Sequence, residues 1–185
     1  MKFTFKAQTH QLDAVKAVVS VFKGQEHFEK MKDSNSNNQL YLSDEQILNN
    51  IQEVQKENKI NLSDKLKKEN GHYDLDISME TGTGKTYTYI RTIFELNKNY
   101  GWTKFIVVVP SSAIKLGVDQ SFKDTENHFS DEYGKKIKSF IYDSKNLQCI
   151  KDFASDKEIS VMIITMQSFA ESNRNRVIYE EQDSL

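Results

Sequence analysis

The stretch "SMETGTGKTYTYIRT", residues 78–92, decides the fold, because a glycine loop here follows a predicted strand and opens a predicted helix. Gly84, Lys85 and Thr86 supply the last three positions of the phosphate-binding pattern G-x-x-x-x-G-K-[ST]. Met79 stands where that pattern has its first glycine, and a small-molecule kinase would ordinarily keep the glycine. The sequence therefore predicts a P-loop of another class. The alternative is a strand-to-helix turn that only contains Gly-Thr-Gly-Lys-Thr.

The residue types of this loop suit the phosphate groups of a nucleotide. Gly82 and Gly84 carry no Cβ, so backbone N–H groups can approach phosphate oxygens closely. Lys85 would bring a positive charge to the β- and γ-phosphates, and Thr86 would offer its hydroxyl to Mg²⁺. The helix that follows adds the positive end of its dipole. The loop thus predicts ATP and Mg²⁺ as cofactors, with Lys85 and Thr86 as the catalytic residues.

Strand and helix patterns alternate on both sides of the loop. Apolar residues at every second position of 73–79 predict a strand that runs into the loop. "KFIVVVP" (104–110) predicts a continuous apolar strand that a parallel sheet buries on both faces, and two more strands are predicted at 137–143 and 159–165. Helical patterns lie between them. This alternation predicts an α/β fold in which helices flank a parallel sheet.

The residues before this core predict helices and loops. "HQLDAVKAVVSVFKG" (10–24) places Leu12 and four further apolar side chains, Val15, Val18, Val19 and Phe22, on one helical stripe. Ser43 and Gln46 form a capping-box pattern at the start of a second helix. We therefore divide the chain into an opening helix at 1–24, a helical insertion with loops at 25–72 and a P-loop core at 73–185.

Composition limits the class of protein. The chain has 185 residues, of which 37% are hydrophobic, enough for one core but short for two. A net charge of -2 gives no overall basic field, so any contact with nucleic acid has to be local. Cys149 is the only cysteine, and neither a signal peptide nor a membrane-spanning run is recognised. We predict a cytoplasmic protein without a membrane partner.

Five stretches together resemble the restriction (Res) subunit of type III restriction-modification enzymes, whose motor belongs to the superfamily 2 helicases. They are "HQLDAVKAVVSVFKG" (10–24), "LDISMETGTGKTYTYIRTIFELNKNYG" (75–101), "KFIVVVPSSAIKLGV" (104–118), "FIYDS" (140–144) and "ISVMIITMQSF" (159–169). The second and third are similar to motifs I and Ia of that family. The resemblance implies a RecA-like P-loop domain, an ATP-driven DNA translocase, and a methyltransferase (Mod) partner. Cleavage would come from a separate nuclease domain.

The resemblance also implies roles for individual residues. Gln11 would hydrogen-bond the adenine edge, and the alternative is an exposed helix residue. The phosphates would be wrapped by Glu80, Thr81, Gly82, Thr83, Gly84, Lys85 and Thr86. Contacts to DNA phosphates would come from Ser111, Ser112, Lys115, Thr165, Gln167 and Ser168, for which a helix cap or ordinary loop polarity is the alternative.

An acidic pair that holds Mg²⁺ and activates water is not recognised before Leu185. Glu180 and Glu181 follow an apolar triplet that is too short for a buried strand, so we reject them. The sequence therefore predicts a truncated domain that hardly hydrolyses ATP alone and that self-associates through an unpaired strand edge. Two alternatives stay open: a generic superfamily 2 helicase acting on DNA or RNA, and a non-catalytic nucleotide-binding or interaction module.

Overall fold

The computed structural model describes residues 5–27, 38–69, 71–144, 146 and 148–174, with no side chains described beyond 170. The chain divides into two compact units, the first spanning Thr4–Trp102 and the second beginning at Thr103. Two sequence features lie outside the described residues: most of the Asn-rich stretch before Gln39, and the glutamates at 180 and 181.

The first unit is a helical assembly that carries the glycine loop. Its elements are α1 (Thr9–Val21), α2 (Asp44–Glu57), β1 (Lys68–Glu69), β2 (His72–Tyr73) and α3 (Lys85–Tyr100). Helix α1 packs against both α2 and α3. Strands β1 and β2 form a short antiparallel hairpin that the sequence had not indicated.

Local hydrogen bonds define the start of α2 and the end of α3. The Ser43 hydroxyl accepts the Gln46 N–H at 3.3 Å, and the Gln46 side chain accepts the Ser43 N–H at 2.9 Å, which confirms the capping box. Ile47, one turn into α2, is fully buried. Helix α3 ends where the Gly101 N–H bonds the Asn97 carbonyl at 2.8 Å. Its residues Ile90, Ile93, Phe94 and Asn97 share one buried face.

Two predictions for this unit are wrong. Residues 74–80 form no strand, and Leu75 and Ile77 are 41% and 51% exposed. A β-strand forms only where a neighbouring strand supplies hydrogen bonds. No described strand pairs with this segment, so the alternating apolar pattern alone did not produce a strand. In α1, Leu12 is 41% exposed, whereas Gln11 is 7% exposed. The rest of the predicted stripe holds, because Val15 is buried and Val18, Val19 and Phe22 are half-buried.

The second unit is a parallel sheet flanked by helices, which confirms the predicted fold class. It contains β3 (Lys104–Val109), α4 (Ser112–Tyr133), β4 (Ile137–Ile141), α5 (Gln148–Ser155), β5 (Ile159–Thr165) and α6 (Met166–Arg174). The strand order is β3-β5-β4, and both pairings are parallel. Every residue of the central strand β5 is buried. Its apolar run is what a parallel sheet covered on both faces requires.

Helices cover both faces of this sheet. Ser139 of β4 donates its hydroxyl to Asp119 of α4 at 2.8 Å, so α4 lies on the face of Ser139. Phe140, the next residue, points to the opposite face and meets Phe153 of α5 edge-on, with ring centroids 5.9 Å apart. The described strands and helices of the second unit thus form three layers.

The burial predicted for β3 is wrong. Ile106 and Val108 are 49% and 41% exposed, although the apolar run predicted burial on both faces. Strand β3 has only β5 beside it among the described residues, so one edge and part of one face are uncovered. The apolar run correctly predicted a strand of a parallel sheet. It did not reveal which strand is central.

Candidate functional site

The glycine loop, residues 80–86, begins with a tight turn. The Thr83 N–H and the Thr83 hydroxyl both donate to the Glu80 carbonyl, at 3.4 and 2.6 Å. Gly82, the third residue of this turn, has φ 82°, a value that a type II turn demands and that glycine adopts without strain. Gly84 follows with φ 83° and forms the N-cap of α3. The two glycines are therefore required by the backbone as well as by close approach.

The loop presents the start of α3. The first bond of that helix joins the Thr88 N–H to the Gly84 carbonyl at 3.0 Å, so the N–H groups of Lys85 and Thr86 precede the helical ladder. The Lys85 side chain is exposed, and a Cβ placed on Gly82 would meet no atom within 4 Å. Open space, free amides and a lysine at a helix N-terminus suit an anion.

Thr86, half-buried on the first turn of α3, lies beside Tyr89. Burial raises the pKa of the Tyr89 phenol. The Thr86 hydroxyl oxygen has lone pairs that suit a hard cation such as Mg²⁺.

Gln11 lies against the loop. Its Nε2 donates to the Thr83 carbonyl at 3.0 Å, and its Oε1 accepts the Gln8 N–H at 3.0 Å. A Cβ on Gly84 would lie 2.3 Å from this Nε2. Gln11 and the loop thus share one site. The remaining loop residues Glu80 and Thr81 are exposed.

The sequence analysis assigned no role to His10. Its Nε2 lies 3.1 Å from the same Thr83 carbonyl that Gln11 contacts. The sequence signal for this contact is the position of His10 next to Gln11 on the first turn of α1. Two side chains at the same helix end can reach the same glycine loop.

The six residues predicted to contact DNA lie in the second unit, and the structure brings them to one edge of its sheet. Val109, the last residue of β3, is the register partner of Thr165, the last residue of β5. Ser111 and Ser112 follow β3 after one residue, and Gln167 and Ser168 follow β5 after one residue. Of these, Ser168 is half-buried and the others are exposed. The carboxyl ends of the parallel strands therefore gather these side chains.

Two of these residues cap helices. The Ser111 hydroxyl accepts the Ile114 N–H at 3.4 Å, and the Thr165 hydroxyl accepts the Ser168 N–H at 3.3 Å. The capping alternative is confirmed for Ser111, whereas the cap by Thr165 had not been predicted. Neither cap excludes contact with a ligand. Helices α4 and α6 thus begin at the same sheet edge, where the positive ends of their dipoles favour anions.

Lys115 adds a charge to this edge. Its Nζ donates to the Tyr142 carbonyl, just beyond β4, at 3.3 Å. A carbonyl is neutral, so this bond orients the ammonium group without cancelling its charge.

Within the described helices, none is long and apolar enough to cross a bilayer.

Comparison with known proteins shows the family. The family model described as "Type III restriction enzyme, res subunit" matches residues 4–185. The EcoPI Res subunit of Escherichia phage P1 is 36% identical over 199 residues, which cover 94% of this chain and 20% of that protein. The EcoP15I Res subunit of Escherichia coli is 44% identical over 115 residues, covering 60% and 11%. The chain spans about a fifth or less of these relatives. Because the family model covers nearly all of it, the chain belongs to the type III restriction enzyme Res subunit family.

Proposed function

We propose that this chain is the ATP-binding part of a superfamily 2 motor that moves a type III restriction enzyme along DNA. The observation that carries the proposal is the N-terminus of α3, where free N–H groups and the exposed Lys85 follow two glycines of positive φ. Family membership supports it. Bound ATP would supply the phosphoryl-transfer energy for movement.

The residues of the loop fit ATP with Mg²⁺. The backbone N–H groups of residues 82–86 would bind phosphate oxygens, and Lys85 would neutralise their charge. Thr86 would offer its hydroxyl oxygen to Mg²⁺, since hydroxyl oxygens are ligands that this cation accepts. Gln11 would hold the loop and, with its second amide hydrogen and second lone pair, contact adenine.

Calorimetric titration of Mg-ATP into the 185-residue chain tests the phosphate site. Lys85→Ala removes a charge-assisted contact worth about 1.5–3 kcal/mol, so affinity should fall at least about tenfold. Lys98→Ala is the matched control, because Lys98 is also exposed on α3 but lies in its last turn. Absence of binding by the unmodified chain, or equal binding by both variants, would contradict the proposal.

Comparing ATP with GTP tests the adenine contact. If Gln11 contacts the base, Gln11→Ala loses any preference for ATP over GTP as well as affinity. If Gln11 serves only the loop, affinities for both nucleotides fall by the same factor. That second outcome would remove Gln11 from the base-reading residues and leave the phosphate site untouched.

We place DNA contact at the sheet edge of the second unit. Two capped helix N-termini and the Lys115 ammonium suit phosphate groups, which fix position without reading sequence. Lys115→Ala should weaken binding of any duplex and lower the slope of log K against log salt by about one. Lys157→Ala, exposed ahead of β5 at the opposite edge, is the control. Equal salt slopes for the two variants would refute this interface.

The remaining roles come from the family alone. In the intact enzyme we assign cleavage to a nuclease domain and site recognition to the Mod subunit. A non-catalytic nucleotide-binding module is the competing function. The full-length parent separates the two: ATP hydrolysis that DNA stimulates and Lys85→Ala abolishes supports a motor, and nucleotide binding without turnover supports the module.

A further inference from the structure

Two consecutive residues of α1 donate hydrogen bonds to one carbonyl of the glycine loop. The Thr83 carbonyl accepts from His10 Nε2 at 3.1 Å and from Gln11 Nε2 at 3.0 Å. A carbonyl oxygen has two lone pairs, so these two donors use its full capacity. Gln11 is also tied to the start of its own helix through the Gln8 N–H. The first turn of α1 therefore holds this carbonyl in one direction.

The same peptide unit carries an amide that a phosphate would use. The Thr83–Gly84 peptide is trans, and in a trans peptide the C=O and N–H bonds point in opposite directions. Turning the Thr83 carbonyl toward α1 therefore turns the Gly84 N–H away from α1. The other side of Thr83 is fixed as well, because its N–H and hydroxyl both bond the Glu80 carbonyl.

We infer that His10 is a positioning residue of the phosphate loop, which acts through the Thr83 carbonyl to direct the Gly84 N–H toward a bound anion. The inference rests on the proposed function, since the anion is the triphosphate group of the nucleotide. The carbonyl can only accept, so His10 must carry hydrogen on Nε2. Both the neutral Nε2–H tautomer and the imidazolium meet that requirement.

To position the Thr83 carbonyl, residue 10 needs only a hydrogen-bond donor at the place of Nε2, and no other property of histidine is required. His10→Ala removes the donor, and His10→Gln keeps an N–H at about the reach of Nε2. His72→Ala is the matched control, because His72 is an exposed histidine on β2 in the same unit. Circular dichroism establishes that each variant is folded at the assay temperature.

Calorimetry with two probes tests the inference: Mg-ATP, and Mg-tripolyphosphate, which has no base. His10→Ala should weaken both by the same factor, about threefold to tenfold, the worth of one neutral hydrogen bond. His10→Gln should restore most of the loss, and His72→Ala should bind as the unmodified chain does. A purely structural effect would not be restored by a donor of different shape.

The possible results distinguish a failure of this inference from a failure of the proposed nucleotide-binding function. If the unmodified chain binds neither probe, the proposed function fails and the inference falls with it. If it binds both, and His10→Ala binds equally well, only the inference fails. Equal losses of affinity in His10→Ala and His10→Gln would also overturn the inference, because a side-chain N–H at this position would then not matter. A loss for Mg-ATP alone would overturn it too, because His10 would then act on the base and not on the phosphates.

Discussion

Replacing the two loop glycines by alanine should give unequal costs. Gly82 and Gly84 have nearly identical backbone angles, with φ of 82° and 83°. A Cβ on Gly82 would meet open space, whereas a Cβ on Gly84 would lie 2.3 Å from Gln11 Nε2. Comparing Gly82→Ala with Gly84→Ala therefore separates the free-energy cost of alanine in a left-handed backbone from the cost of displacing Gln11.

The magnitudes follow from the contacts. Alanine at positive φ costs about 1–2 kcal/mol at either position. At Gly84 the flexible Gln11 amide must also move, which breaks its bonds to the Thr83 carbonyl and the Gln8 N–H. Each such bond contributes about 1 kcal/mol. Gly84→Ala should thus lower the free energy of unfolding by about 2 kcal/mol more than Gly82→Ala does.

Urea unfolding followed by Trp102 fluorescence measures this difference. Trp102 is the only tryptophan, it is 7% exposed, and it packs on Tyr100 and Phe22 within the first unit. In a double-mutant cycle, Gln11→Ala with Gly84→Ala should cost about 2 kcal/mol less than the sum of the single changes, since the same bonds are lost in both. Equal costs at the two glycines, or strict additivity in the cycle, would refute this account of the loop.

Three further changes test other parts of the fold. Ser43→Ala should lower the free energy of unfolding by about 1 kcal/mol, measured in urea, because it removes the cap of α2; an unchanged midpoint would contradict this. The hydrogen bond from Lys68 lowers the pKa of Asp44, so this pair stabilises the fold above the ordinary value of 3.8 and loses its effect as pH falls through the lower folded value. Urea midpoints between pH 6 and 2 should show that acid dependence weakened in Asp44→Asn, and an identical profile would exclude the pair as its source. The exposed Ile106 and Val108 on β3 should make the chain self-associate. Sedimentation velocity should show less association for Ile106→Lys, and a monomeric unmodified chain at high concentration would overturn the expectation.

Local signals in the sequence predicted the elements well. The capping box of α2 depends on residues three positions apart, and the burial pattern of α3 follows from its own periodicity. Strands β3, β4 and β5 were predicted within about two residues, because each is an apolar run bounded by turns. In each case the deciding information lies within one element.

The errors concern neighbours that periodicity cannot show. The run in β3 is as apolar as that in β5, yet β5 lies between two strands and β3 does not. Alternation at 73–79 describes two faces of a strand, but a strand forms only where another supplies hydrogen bonds. Strand order and pairing depend on distant residues, so one sequence without its homologues leaves them undetermined.

The candidate site shows the same limit at the level of single side chains. The pattern predicted which residue types form the glycine loop, but its shape depends on His10 and Gln11, 73 and 72 residues away from Thr83. A polar side chain on a helix is usually exposed, and Gln11 is buried because its amide finds partners at both ends. A loop with two glycines has many conformations to lose, and contacts from α1 reduce that number before any anion arrives. If the loop binds phosphate as proposed, the opening helix is part of that site and not only its neighbour, because α1 bonds the Thr83 carbonyl on the opposite side of the peptide from the Gly84 N–H.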